Sequence, residues 1–193
     1  MEIRKRMHTF MIVICAAACA VTAAAAAPGL SQTAQAEIIH NDFEQDCEGW
    51  YGNADSVALS TGNSSGYASS SGLAVTGRSG SGEGAASCEG TRLDGGVEYT
   101  YSAMVYSESD ETFRLTLRCT DRETGSSTER TLASADAQSG EWTELVAVYA
   151  APADSTDLTL TITTDSTNDF CLDNIRITED PSSLPRDPIS MER

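Results

Sequence analysis

The 193-residue chain carries 29 Asp and Glu against 12 Lys and Arg, a formal net charge of −17. Such acidity excludes the cationic clusters that nucleic acid and anionic membrane surfaces require, and it favours solubility and cation binding.

Residues 1–36 read as a secretory signal peptide. Arg4, Lys5 and Arg6 lead an apolar run from about Phe10 to Ala27, Pro28 and Gly29 end it, and Ala34-Gln35-Ala36 is a small-x-small cleavage site. The run of about 18 residues also nearly suffices for an uncleaved membrane anchor. No L-x-x-C precedes a mature cysteine, which argues against a lipid anchor. Cleavage after Ala36 leaves a secreted, extracellular domain of 157 residues with net charge −19 and no membrane association, long enough for one real core.

From Val57 onward the apolar residues recur with the period of strands. Val57-Ala58-Leu59 and Leu73-Ala74-Val75 are short apolar runs bounded by Gly and Ser. They are followed by Glu98–Ser107, Phe113–Cys119, Arg130–Ala133, Leu145–Ala150, Leu158–Thr164 and Phe170–Ile177. In FRLTLRC, Phe113, Leu115, Leu117 and Cys119 share one face while Arg114, Thr116 and Arg118 share the other, the alternation of a half-buried antiparallel strand. Turn signals separate the runs at Gly95-Gly96, Glu123-Thr124-Gly125, Ser139-Gly140 and Ala151-Pro152. Strands so short and so spaced predict an all-β chain, a jelly-roll β-sandwich of two antiparallel sheets over residues 37–179. Gly62–Gly84 is Ser- and Gly-rich loop around one strand, and the Pro-rich residues 180–193 read as a linker or disordered tail.

Four cysteines follow the signal: Cys47, Cys88, Cys119 and Cys171. They form no C-x-x-C and have no histidine partner, which leaves disulfides of three possible connectivities or buried thiols. The acids concentrate in turns, and no strand carries a carboxylate pair of the kind glycosidases set roughly 5–9 Å apart. With no G-x-S-x-G and no phosphate loop either, the reading is non-catalytic.

Two acids sit where core residues are expected, Glu44 in NDFEQDCEGW and Asp173 in DFCLDNIRIT. If the first and last strands lie side by side, these carboxylates approach each other and require a proton or a cation between them. Calcium, which takes six to eight oxygens, suits such a pair. The alternative is two exposed acids on edge strands.

An ordered set of motifs resembles the family 22 carbohydrate-binding modules, within the wider jelly-roll group that includes families 4 and 9. Phe43-Glu44 and Gly49-Trp50 open it, SGLAVTGR (71–78) and EYTYSAMVY (98–106) follow, GEWTELVAVYAAP (140–152) matches G-x-W-T-x-L-x-x-x-Y-x-x-P, and NDFCLDNIRIT closes it. The resemblance covers about Asp42 to Thr178 and implies xylan or mixed-linkage β-glucan binding without catalysis, often beside a xylanase catalytic domain. It also implies a structural calcium held by Glu44 and Asp173, with Asp42 and the 66–71 loop supplying further oxygens.

For the sugar, the resemblance implies Arg78 as a hydrogen-bond donor, with Glu83 beside it as a second candidate; the alternative for Arg78 is a surface ion pair with Glu83. Asp165 is the acid at the end of the penultimate strand, Thr163 and Thr164 being alternatives. Tyr99 and Tyr101 share one face of their strand, which is either a stacking surface or core. Trp50 and Trp142 fall at positions that are structural in the family, and Tyr67 offers a further ring. The family's loop tryptophan is replaced by Gly82, and Glu129-Arg130 stand where an exposed tyrosine is expected. The alternative function is therefore a calcium-stabilised spacer of a modular glycoside hydrolase that has lost sugar binding.

Overall fold

The computed structural model describes residues 36–62, 66–87 and 89–179. The signal-peptide reading, apart from Ala36, and the tail reading of 180–193 lie outside the described residues.

Period-two patterning produces eleven strands among the described residues. In chain order they are β1 (Ala36–Asn41), β2 (Trp50–Gly52), β3 (Ala58–Ser60), β4 (Leu73–Thr76), β5 (Gly84–Ser87), β6 (Glu98–Tyr106), β7 (Glu111–Asp121), β8 (Ser127–Ala137), β9 (Thr143–Ala150), β10 (Ser155–Thr164) and β11 (Phe170–Glu179). One sheet has the order β3-β4-β11-β6-β9, with β1 also paired to β11, and the other has the order β2-β5-β10-β7-β8. Every pairing is antiparallel. The chain is thus a jelly-roll sandwich of a six-stranded and a five-stranded sheet, as the alternation predicts.

The core fills the space between the sheets. From the six-stranded sheet come Leu73, Val75, Tyr101, Val105, Leu145, Leu172 and Ile177, and from the other Trp50, Phe113, Leu115, Leu117, Leu158, Leu160 and Ile162. Phe113 meets Phe170 edge to face at 5.4 Å across the gap. Trp50 is core as expected: its indole donates to Asn41 Oδ1 at 3.1 Å and its ring meets Phe43 at 6.4 Å. Trp142 is not. It lies half-buried outside the six-stranded sheet, packed between Tyr67 at 5.9 Å and Tyr106 at 5.4 Å, because Tyr106 takes the outward parity of β6.

No disulfide joins the described cysteines Cys47, Cys119 and Cys171, and Cys88 lies outside the described residues. Cys119 is buried among the inward residues of β7.

Candidate functional site

Asp173 is 1% exposed, yet it does not point into the core. The β11–β6 ladder slips between Asp173 and Arg176, a bulge at which Asn174 takes φ +48°. Bulges re-aim side chains in this way. Leu172, Ile175 and Ile177 face inward on either side of the slip, and Asp173 faces out, under the 66–71 loop. Its Oδ2 accepts from Tyr67 N at 2.6 Å and Ser69 Oγ at 2.7 Å, and its Oδ1 from Asn174 N at 2.6 Å.

Glu44 reaches the same loop. Phe43, fully buried against Trp50, adopts φ +54°, a conformation costly for a bulky residue and held here by its packing. The chain then presents Glu44 to Ser70 and Ser71, whose N–H groups donate to Oε1 at 3.0 and 2.8 Å, while the Ser70 hydroxyl binds Oε2. Hydrogen bonds from the Ser70 hydroxyl and then the Ser71 amide hold the Glu44 carboxyl below its ordinary pKa, with a smaller contribution from Ser69. Ser69 thus serves both acids. Asp42 is exposed; its carboxylate caps Glu44 N at 3.2 Å and lines, with Asp173 and Ser69, a hollow of about 270 Å³.

Oxygens converge at Gly66. A Cβ there would lie 2.1 Å from Ser69 Oγ, 2.2 Å from the Ser71 carbonyl and 2.8 Å from Asp173 Oδ2. A carboxylate, a hydroxyl and a carbonyl around one space that only glycine leaves open is a donor set of the kind calcium takes. The residues therefore fit the ion.

The other site is the outer face of the five-stranded sheet. Strands β5, β10 and β7 turn Leu160, Ile162, Leu115 and Leu117 inward, so the alternate residues face out. Ladder partners place Tyr51 beside Ala86, Ala86 beside Thr161, and Thr161 beside Thr116, one row across four strands. At about 4.7–4.9 Å per strand the row spans about 14 Å. The next row pairs Thr159 with Arg118 and Arg118 with Glu129. With Asn53, Gly82 and Thr163 these residues line a cleft of about 350 Å³. Tyr51, 44% exposed, is its aromatic wall, and small Ala86 keeps the floor low beside it. Asn53 is committed to structure, donating to Gly82 O and accepting from Gly84 N. Arg118, Glu129 and the threonines Thr116, Thr161 and Thr163 are further polar residues lining the cleft.

The sugar residues expected from the sequence are not brought together in this cleft. Arg78 is 6% exposed; its guanidinium donates to the carbonyls of Glu83, Thr164, Ser166 and Asn168 and lies 4.9 Å over the Phe170 ring. Burial pushes its pKa down, and the carboxylates of Glu111, Asp169 and Glu83 push it back. It is a clamp on the β10–β11 turn. Glu83 stays half-exposed and accepts from Ser79 N, Ser56 Oγ and Ser79 Oγ, which lowers its pKa to about 2. Tyr99 and Tyr101 are core, since odd positions of β6 face inward; burial raises the pKa of both. Asp165 lies exposed beyond β10 and pairs with Arg114 at 3.7 Å. Among the alternatives at that strand end, it is Thr163 that lines the cleft.

Residues 35–169 match the model of a family described as a carbohydrate binding domain. Endo-1,4-beta-xylanase Y of Acetivibrio thermocellus is 40% identical over 144 residues, 74% of this chain but 13% of the relative, so the chain spans a small part of that protein. Among solved structures, the CBM22-1–GH10 modules of Clostridium thermocellum endo-1,4-beta-D-xylanase 10B, complexed with xylohexaose, superpose with a TM-score of 0.73 at 39% identity, over 76% of this chain and 29% of that one. The C-terminal family 22 carbohydrate-binding module of the same xylanase, in which conserved amino acids of the cleft have a role in ligand binding, gives 0.69 at 25% identity over 78% and 99%. A family 22 xylan-binding domain gives 0.67 at 26% identity over 76% and 96%.

Proposed function

The chain belongs to the carbohydrate-binding domain family, as a family 22 module, and we propose that it binds xylan-type plant polysaccharide in the cleft on the outer face of the five-stranded sheet. The observation that carries this reading is the cleft itself. Tyr51 offers a ring face to the apolar side of a pyranose, and Thr116, Thr159, Thr161, Thr163, Arg118 and Glu129 offer polar groups to its hydroxyls. Relatives of this fold are xylan-binding modules of xylanases, one solved with xylohexaose, which supports xylan over other glycans and a xylanase catalytic domain as partner. The comparisons give no support to the spacer alternative.

The module acts by attachment. Binding the wall polysaccharide raises the effective concentration of whatever it is joined to, with no chemistry of its own. Among the described residues that line the cleft, Glu129 is the one carboxylate, whereas glycoside hydrolysis needs two. Secretion of the protein follows from the signal-peptide reading and accords with a cell-wall ligand.

The second part of the proposal is a structural calcium. Glu44 and Asp173 would hold it, with Ser69 and the Ser71 carbonyl, and Asp42 lines the adjoining hollow. The ion would supply the positive charge that two carboxylates from opposite chain ends otherwise draw from N–H and O–H groups alone. Affinity gel electrophoresis against arabinoxylan, mixed-linkage β-glucan and hydroxyethylcellulose, each with calcium and with chelator, tests both parts. Retardation by xylan is expected, with a lower melting temperature in chelator. No retardation by any glycan would overturn the sugar reading, and a melting temperature indifferent to chelator would overturn the calcium.

A further inference from the structure

Every Lys or Arg after Ala36 is an arginine, and most of the described ones are engaged. Arg78 donates to backbone carbonyls, Arg114 pairs with Asp165 at 3.7 Å, Arg176 pairs with Glu37 at 3.6 Å, and Arg130 lies over the Tyr149 ring. Arg118 differs. It is exposed and lines the cleft, and no ion pair or hydrogen bond engages its guanidinium among the described residues. Its ladder neighbours are Thr159 on β10 and Glu129 on β8. Glu129 is the nearest acid across the ladder, yet the two form no ion pair.

A guanidinium held in a binding cleft suits a ligand that carries a planar anion, because its fork of donors matches a carboxylate in bidentate fashion. The xylan backbone is neutral and gives such a group hydroxyls but no counter-charge. Plant xylans also carry uronic acid side groups, and these supply a carboxylate. The domain as a whole is strongly acidic and repels an anionic ligand, so favouring one requires a cation placed locally, as Arg118 is. Tyr51 is the one aromatic among the described residues lining the cleft, so stacking rests on a single ring and a charged contact weighs more. The geometry agrees. The row of Tyr51, Ala86, Thr161 and Thr116 lies two residues along the strands from the row of Thr159 and Arg118, about 7 Å away. A sugar ring held on the first row can project a monosaccharide substituent over the second.

Resting on the reading of the cleft as a xylan site, we propose that Arg118 is its specificity determinant. It pairs with the carboxylate of a uronic acid side group, so the module prefers glucuronoxylan to undecorated xylan. Glu129 sets the size of that preference. Its charge stands beside the position of the bound carboxylate and opposes the pairing. The two residues therefore act with opposite sign on an acidic ligand, a pattern that a purely structural cross-strand pair would not produce.

The test is titration calorimetry at one ionic strength with oligosaccharides of one backbone length. The probes are an undecorated xylo-oligosaccharide, the same chain bearing a single glucuronic acid, and that decorated chain with its carboxylate reduced to the alcohol. Wild type should bind the uronate form about three- to tenfold tighter than either neutral form, the range of one partly exposed charge-assisted contact. Arg118→Gln should abolish that preference and Glu129→Gln should increase it. The readout is the ratio of affinities, since Arg118→Gln also alters contacts with the neutral chain. No preference in wild type, an equal gain from the carboxyl-reduced form, a preference that survives Arg118→Gln, or one that Glu129→Gln leaves unchanged would overturn the uronate role while the xylan reading stands. Binding of none of the probes by the folded protein would overturn both.

Discussion

Replacing Asp173 by Asn keeps its shape and removes its charge. Oδ2 accepts from two groups, Tyr67 N and Ser69 Oγ, and Oδ1 from Asn174 N. An amide has one oxygen, so whichever way it turns, at least one backbone N–H faces an NH₂ instead of an acceptor. Hydrogen bonds to a charged group contribute about 1.5–3 kcal/mol each, and a buried donor left unpaired costs about 1–3 kcal/mol. The loop can lift and let water in, which caps the damage, so the expected loss is about 2–4 kcal/mol. For a domain of this size that lowers the melting temperature by roughly 5–15 °C. Urea unfolding followed by tryptophan fluorescence measures it, and Trp142, packed on Tyr67 of the same loop, should report the loop's release. Asp154→Asn, at an exposed position, is the control and should stay within about 0.5 kcal/mol. A bound calcium would enlarge the Asp173→Asn effect in calcium buffer and shrink it in chelator, because a ligand stabilises only the state that binds it. A loss below about 1 kcal/mol, or one equal to the control's, would refute the account of Asp173 as the anchor of the loop.

Other substitutions separate structural from ligand-binding residues. Arg78→Met should cost about 3–5 kcal/mol, the range for breaking a buried charged network, while leaving the sugar affinity of the folded protein within about twofold; an equal loss of both would return Arg78 to the cleft. Glu83, with its pKa lowered to about 2 from an ordinary 4.5, contributes stability that is present above pH 4.5 and is lost as pH falls toward 2. The stability gap between wild type and Glu83→Gln should therefore be level near neutrality and close over that acid window, as read from urea midpoints against pH. At Gly82 a side chain meets open space, but φ is +87°. Gly82→Trp should cost about 1–2 kcal/mol of backbone strain and increase retardation by xylan.

Legibility followed sequence distance. The alternation in FRLTLRC placed Phe113, Leu115 and Leu117 correctly inside, because a strand's period depends only on its own residues. The same alternation already put Thr116 and Arg118 on the other face. What it lacked was the register that sets Tyr51, Ala86, Thr161 and Thr116 in one row, since that register pairs segments tens of residues apart. Tyr99 and Tyr101 show the same limit: parity says they share a face but not which one. Arg78 is a harder case. Its partners Ser166 and Asn168 lie about ninety residues away, so whether it is a clamp or a sugar donor depends on a turn its own neighbourhood does not encode. The short β5 was hidden because Gly84-Ala85-Ala86-Ser87 lacks the bulky residues that mark strands. Asp173 was the informative exception, an acid in a strand whose explanation required the bulge and the loop above it.

The central claim is that the outer face of the five-stranded sheet holds the sugar, and amide NMR titration with xylohexaose tests it most directly. Saturable shifts at Tyr51, Ala86, Thr116 and Thr161, with Tyr51→Ala weakening the affinity by about tenfold, equivalent to about 1.4 kcal/mol of lost stacking, are the predicted result. Shifts confined to Tyr67, Trp142 and the outer face of the six-stranded sheet, or no shifts from a well-folded protein, would contradict it.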